Sequence, residues 1–299
     1  METQLPNFLI VGAARCGTTA LYNILRKHPD ISMAGLKEPR YFSSRHLEFP
    51  HNGPGDHTID NAVIRKEKNY KKLFAKVEGK RIGEASPDYL FFHEFTADKI
   101  YNYLGDAEII ILLRNPVERA YSAYNHLLRD NREKLSFKDA LELEDQRKKD
   151  NYDFMWLYKE VGLYYEQVKT FKERFSNVHV LLQEDLKRQP EQEISRVTEF
   201  LSISNNFQYD SSVNYNSAGE PSNFVAKFIL DRNNSISLML RETVKKVIPR
   251  NVLEKVSGKM IEEKEEMAQD IRRELKEFFN EDIKKLDSLI DNDLSVWHR

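Results

Sequence analysis

The chain carries a single cysteine, Cys16. One thiol excludes an intrachain disulfide and any cysteine-rich zinc or iron–sulfur site, and it fits a reducing compartment. No apolar run reaches the roughly 18 residues of a membrane-crossing helix. Neither sign of charge dominates: 46 Lys and Arg stand against 48 Asp and Glu, a formal charge of −2. That balance excludes a protein that coats nucleic acid through general basicity, yet leaves room for a local anion site. There is no internal repeat and no low-complexity tract. The start, METQLPNFLIVGAARCG, lacks a basic leader and enters a glycine-bearing turn instead of a cleavage site. It reads as a core strand, not a signal peptide.

What is present is core-forming material, with 40% hydrophobic and 31% charged residues over 299 positions. Such a chain is too apolar to stay disordered, and its length suits two domains or one large α/β domain. Residues 7–11, NFLIV, form a short apolar run ended by Gly12, the pattern of a buried parallel strand. Leu21, Ile24, Leu25 and His28 then recur at helical spacing until Pro29. Residues 43–69, with His46, His51 and His57 among prolines and glycines, read as a long loop on one rim of the sheet. A short helix is expected around Tyr70 to Phe74, a strand from Arg81 to Glu84, and a helix over 96–104. Ile109 to Leu113 is the most apolar strand, and Pro116 suits the first turn of the helix behind it. Helical material continues with breaks to about Phe175, followed by a strand from Val178 to Leu182 and a helix from Pro190 to near Leu201. A second polar, turn-rich loop precedes helices over 224–247 and 260–290. In the last of these Met267, Ile271, Leu275, Phe278, Phe279, Ile283, Leu286 and Ile290 make an apolar stripe. Alternating strands and helices predict an α/β fold with a central, mostly parallel sheet flanked by helices. Ligands of such folds sit beyond the carboxyl ends of the strands, where Gly12–Thr19, Glu84–Asp88 and Arg114–Ser122 all fall.

Residues 12–19 read GAARCGTT. The glycine spacing is that of a phosphate loop, but Thr18 stands where a triphosphatase has lysine. Gly12 and Gly17 permit a tight turn that aims backbone N–H groups above a helix N-terminus. Thr18 and Thr19 add hydroxyls, and Arg15 adds a fixed positive fork. Arg114 closes the 109–113 strand, where a triphosphatase would carry a metal-binding carboxylate; an arginine there argues for a second phosphate. The bland alternatives are a plain strand-to-helix turn for the cradle and a local pair with Glu118 for Arg114. Cys16 reads as a small filler of the cradle.

These residues carry a family resemblance. NFLIVGAARCGTTALYNILRKHPDI and IIILLRNPVERAYSAYNH resemble the two main motifs of sulfotransferases that use 3'-phosphoadenosine 5'-phosphosulfate, PAPS. KEPRYFSS, GEASPDYL, VLLQEDL and NYNSAGEPSN are similar to further family segments in the same order. The KEP segment leans towards the heparan and bacterial branch rather than the cytosolic steroid and phenol enzymes. The resemblance covers about 7–223, leaving a C-terminal helical part of about 224–299, within a single sulfotransferase-like domain over 1–299. It implies a P-loop-like, three-layer α/β fold. Carried over by position, it implies that Arg15, Cys16, Gly17, Thr18 and Thr19 hold the 5'-phosphosulfate. Arg114 and Ser122 would hold the 3'-phosphate, with Gly219 in a late cofactor loop. Glu38 falls on the carboxylate taken as general base. Departures are Ser222 in place of an arginine, Arg40 in place of a histidine, and Ala85 in place of a lysine, the last two near the acceptor.

The implied reaction moves a sulfuryl group by in-line transfer from PAPS to an acceptor hydroxyl on a glycan, lipid or small molecule, releasing 3'-phosphoadenosine 5'-phosphate, PAP. Arg15, Thr18 and the loop amides stabilise charge on the leaving phosphate, with Lys37 assisting and Glu38 taking the acceptor proton. The scheme requires no metal and no nucleic acid. His46, His51 and His57 are alternative bases, and Asp88 either orients substrate or caps a turn. Trp156, Tyr152, Tyr158, Tyr164 and Tyr165 either line an acceptor cleft or belong to the core. Two rival functions remain: an ATP-dependent small-molecule kinase, and a nucleotide-binding scaffold without catalysis. A compact, anchor-free chain is expected in a bacterial cytoplasm, or in a Golgi lumen if it is a trimmed eukaryotic protein.

Overall fold

The computed structural model describes residues 4–75, 77, 79–204 and 266–298. Five parallel strands form one sheet in the order β2-β3-β1-β4-β5. They are β1 (Phe8–Gly12), β2 (Ile31–Met33), β3 (Arg81–Ala85), β4 (Glu108–Leu113) and β5 (Val178–Leu182). Register is set by Phe8 opposite Gly83 on one side and Glu108 on the other, and by Leu113 opposite Leu182 at the far pair. Phe8 to Val11 and Ile109 to Leu113 are wholly sequestered from solvent. Strands buried on both faces are expected where helices cover both sides of a parallel sheet.

The sequence reading recovers four of these strands and misses β2. Ile31–Met33 has three residues, two of them half-buried, directly behind the His28–Asp30 turn. A strand that short shows no alternation to read. Inside the 43–69 loop lies a short helix, His57–Asp60. His51 is buried there, with its ring Nδ1 2.6 Å from Asp60 Oδ1. The predicted helix near Tyr70 runs over Glu67–Lys72, and the 96–104 helix begins earlier, at His93.

Helix Thr18–Leu25 follows β1, and helix Pro116–Arg129 follows β4. The second opens on Asn115, whose side-chain oxygen accepts from the amides of Val117 and Glu118, with Pro116 in the first turn. The C-terminal helix Gln269–Asp287 buries Leu275, Phe279, Ile283 and Leu286. Phe278, expected on that stripe, is 44% exposed instead. Asp282 on this helix accepts from the Tyr164 amide at 2.7 Å, satisfying the start of helix Tyr164–Arg174. The predicted 224–247 helix and the loop bearing Gly219 and Ser222 lie outside the described residues.

Candidate active site

Strands β1 and β4 are neighbours, but the chain leaves β1 towards β2 and β3 and only later builds β4 and β5 on the other side. The crevice at such a switch point lies beyond the carboxyl ends of these strands. Both segments singled out by sequence open into it. Ala13 donates its amide to Leu112 O at 2.7 Å, which ties the cradle to the end of β4. Gly12 is required by space, because a Cβ there would stand 2.3 Å from Leu90 Cβ. Gly17, at φ 100°, is required by conformation, since it turns the chain into the helix from the left-handed region. The first amides of a helix have no acceptor within it, and here that helix start follows directly on the cradle.

Arg15 and Arg114 converge there. Arg15 Nη2 lies 3.4 Å from Ser122 Oγ, and Arg114 Nη1 lies 3.5 Å from the Arg15 carbonyl oxygen. Arg15 Nε is buried without a hydrogen-bond partner among the described residues. Burial, with the guanidinium groups of Arg129 and Arg114 beside it, pulls the Arg15 pKa down to about 10. A cluster of cations that weakens its own protonation is suited to an anion of high charge. Arg114 also makes the local pair with Glu118, at 3.8 Å, and Glu118 is held from its other side by Arg272 at 2.6 Å. Thr18 is buried and Thr19 half-buried at the helix start. Cys16 is fully buried, its sulfur 3.6 Å from the Tyr164 hydroxyl, and burial pushes the thiol up to about 11. Its side chain therefore fills space within the core beside Tyr164.

The acceptor-side candidates sit one strand away. The Glu38 amide donates to Ala85 O at 2.9 Å, at the end of β3, and the Arg40 amide donates to Ser86 Oγ at 3.2 Å. Lys37 Nζ bonds Glu38 Oε1, and Arg40 Nη2 lies 3.9 Å from Glu38 Oε2. Burial alone would raise the Glu38 pKa, but Lys37, Arg40 and Arg15 prevail and hold it below the ordinary glutamate value. The carboxylate is thus ionised and 36% exposed, an open but weak base. Arg15, Glu38 and Arg40 all hold positive φ, at 70°, 61° and 51°, a conformation uncommon outside glycine.

Arg40 is buried and anchored behind Glu38 by Asp153 at 2.8 Å, with Asp88 Oδ1 at 4.0 Å. Asp88 accepts from Ser43 Oγ at 2.5 Å, and burial lifts its pKa to about 6. Glu84, on β3 itself, accepts from Tyr70 and Ser86 hydroxyls at 2.7 Å each, and burial lifts it to about 7. Trp156, Tyr158 and Tyr164 belong to the core; Tyr152 and Tyr165 are half-buried. Of the loop histidines, His51 is tied to Asp60 and His46 stacks on Phe95 at 4.2 Å.

Sequence reasoning passed over Arg129 and Asp153. Arg129 stands seven positions after Ser122, on the same face of helix Pro116–Arg129, so helical spacing was the available signal. Asp153 meets Arg40 across 113 positions, with no local sign.

No helix among the described residues is long and apolar enough to cross a membrane. The model of the sulfotransferase family matches residues 6–207. A crystal structure of a sulfotransferase from Alicyclobacillus acidocaldarius is 37% identical, with a TM-score of 0.80 over 99% of this chain and 100% of that one. The Dictyostelium discoideum membrane-associated sulfotransferase kil1 is 35% identical over 121 residues, 40% of this chain and 23% of that protein. Human carbohydrate sulfotransferase 15 is 29% identical over 167 residues, 46% of this chain and 30% of that protein. The chain thus spans under a third of these two curated relatives' length. The family match covers most of the chain, and the bacterial structure aligns along all of it: this chain belongs to the sulfotransferase family.

Proposed function

We propose that the protein transfers a sulfuryl group from PAPS to an acceptor hydroxyl. The observation that carries this reading is the convergence of Arg15, Arg114 and Ser122 at the ends of β1 and β4. Two guanidinium groups there suit a ligand with phosphate at both ends of one nucleoside. The orphaned Arg15 Nε supplies an unused donor for such a ligand. When bound, PAPS supplies the sulfuryl group and carries PAP as the leaving portion. Arg15, Thr18, Thr19 and the cradle amides hold the 5' end, Arg114 and Ser122 the 3' end, with Gly219 assigned to the same cofactor by resemblance.

Residues of this chain then manage charge and the proton. Fixed donors at the cradle favour charge appearing on the departing phosphate oxygen. Glu38 accepts the acceptor proton, and Lys37 and Arg40 keep its carboxylate ionised. The acceptor is a carbohydrate or small-molecule hydroxyl; the carbohydrate class takes support from the name of the human relative. Neither a metal nor a nucleic acid enters the scheme. The motif-bearing and C-terminal parts act as one domain, in the cytoplasm.

Calorimetric titration with PAP and with ADP, each with and without magnesium, tests the donor. Tighter binding of PAP, indifferent to magnesium, is expected. Preference for ADP with magnesium would return the protein to the kinases. Labelled PAPS offered with a panel of glycans and small alcohols then identifies the acceptor; PAP binding with no transfer to any of them would support a silent scaffold.

A further inference from the structure

Helix Pro116–Arg129 carries Arg119, Ser122, His126 and Arg129 at spacings of three and four, so all four share one face. Ser122 on that face meets Arg15 at 3.4 Å. Arg119 lies one turn earlier and is wholly buried, with 0% exposure. Its Nη2 donates to the Tyr158 carbonyl oxygen. Among the described residues its Nε and Nη1 have no hydrogen-bond partner, and no carboxylate forms an ion pair with it. Glu144 is the carboxylate within electrostatic reach, but its oxygens already accept from the Lys159 and Glu160 amides at 2.8 Å each. On the other side Arg119 acts electrostatically on Cys16 of the cradle, on Arg114 and on Arg15.

A buried charge without a counter-ion is costly and is ordinarily paired. Here the charged groups acting from the crevice side are the cations Arg114 and Arg15, while Cys16 and Tyr164 are kept neutral by burial, so the arrangement is frustrated until an anion arrives. Burial lowers the Arg119 pKa, the direction expected of a guanidinium denied both water and a carboxylate. The same low-dielectric surroundings make its field at the cradle stronger than that of a surface arginine.

We propose that Arg119 is a positioning residue of the donor site, a fixed buried charge behind the cradle whose counter-ion is the phosphate-bearing donor itself. It acts through the cradle and Arg114 without contacting the ligand. The inference rests on the donor reading given above.

The test compares wild type, Arg119→Lys and Arg119→Met by calorimetric titration with PAP at 0.1 M and 0.5 M NaCl, with circular dichroism as a check of folding. Met keeps the apolar stem and removes the charge; Lys keeps both. The Met variant is expected to bind PAP roughly tenfold more weakly or worse, with the loss persisting at high salt because buried charges are little screened. Lys should restore affinity to within about threefold of wild type. Met binding within about threefold of wild type, or Lys binding as poorly as Met, would overturn the proposal. A Met variant that fails to fold would also overturn it, because the role of Arg119 would then be structural. Wild type that does not bind PAP would overturn the donor reading itself, and the role of Arg119 with it.

Discussion

Replacing Glu84 by Gln should make the protein more stable at alkaline pH and nearly unchanged at acidic pH. Glu84 lies on β3 with no exposed surface, and burial raises its pKa from 4.5 to about 7, against the hydroxyls of Ser86 and Tyr70 that bond to it. The unfolded chain releases this proton near 4.5 and the folded chain near 7. Below pH 4.5 both states are protonated and the group is neutral in its effect. Between those values the folded state binds more protons, so stability falls as pH rises, and above 7 the full penalty applies. At about 1.4 kcal/mol per tenfold change in proton affinity, the penalty is about 3 kcal/mol. Gln keeps the size, accepts from one hydroxyl and carries no charge. Urea unfolding at pH 5 and pH 8, followed by fluorescence of the buried Trp156 and Trp297, measures the difference. Part of the penalty is already present at pH 5, so the variant should gain about 2 to 3 kcal/mol on wild type between the two pH values. A stability gap that stays constant across this range would refute the idea that Glu84 is folded into the sheet end as a protonated acid.

Three further outcomes follow from the site. Arg114→Ala should weaken PAP roughly ten- to hundredfold, the worth of a charge-assisted bond to phosphate; Arg272 remains to hold Glu118, so unchanged calorimetric affinity would remove Arg114 from the donor site. Glu38→Gln should lower turnover on the identified acceptor by about a hundredfold or more while PAP affinity stays within about threefold; wild-type turnover would eliminate it as the base. Asp153→Ala leaves Arg40 buried without its 2.8 Å partner and should cost about 3–5 kcal/mol in denaturant unfolding, with a cost under about 1 kcal/mol showing that Asp88 and Glu38 suffice.

Local pattern alone determined a good deal. The apolar runs at 7–11 and 109–113 specify buried parallel strands, because a strand covered on both faces has no room for polar alternation. The glycine spacing of 12–17, and an arginine at the end of the strongest strand, point to an anion site at the strand ends. Pro116 marked the helix that presents Ser122. Such features are legible because they depend on neighbours within a few positions.

Contacts between distant segments were decided only by the tertiary structure. Arg40 with Asp153, Arg15 with Ser122, and Glu84 with Tyr70 are joined by packing across the sheet ends. So was the ionisation of the buried acids: Glu38, Glu84 and Asp88 are ordinary carboxylates on paper, yet one is held low by Lys37, Arg40 and Arg15 and two are lifted by burial. The sequence names which groups are present; the surrounding charges and the solvent they lose set what each can do, and those are properties of the folded whole.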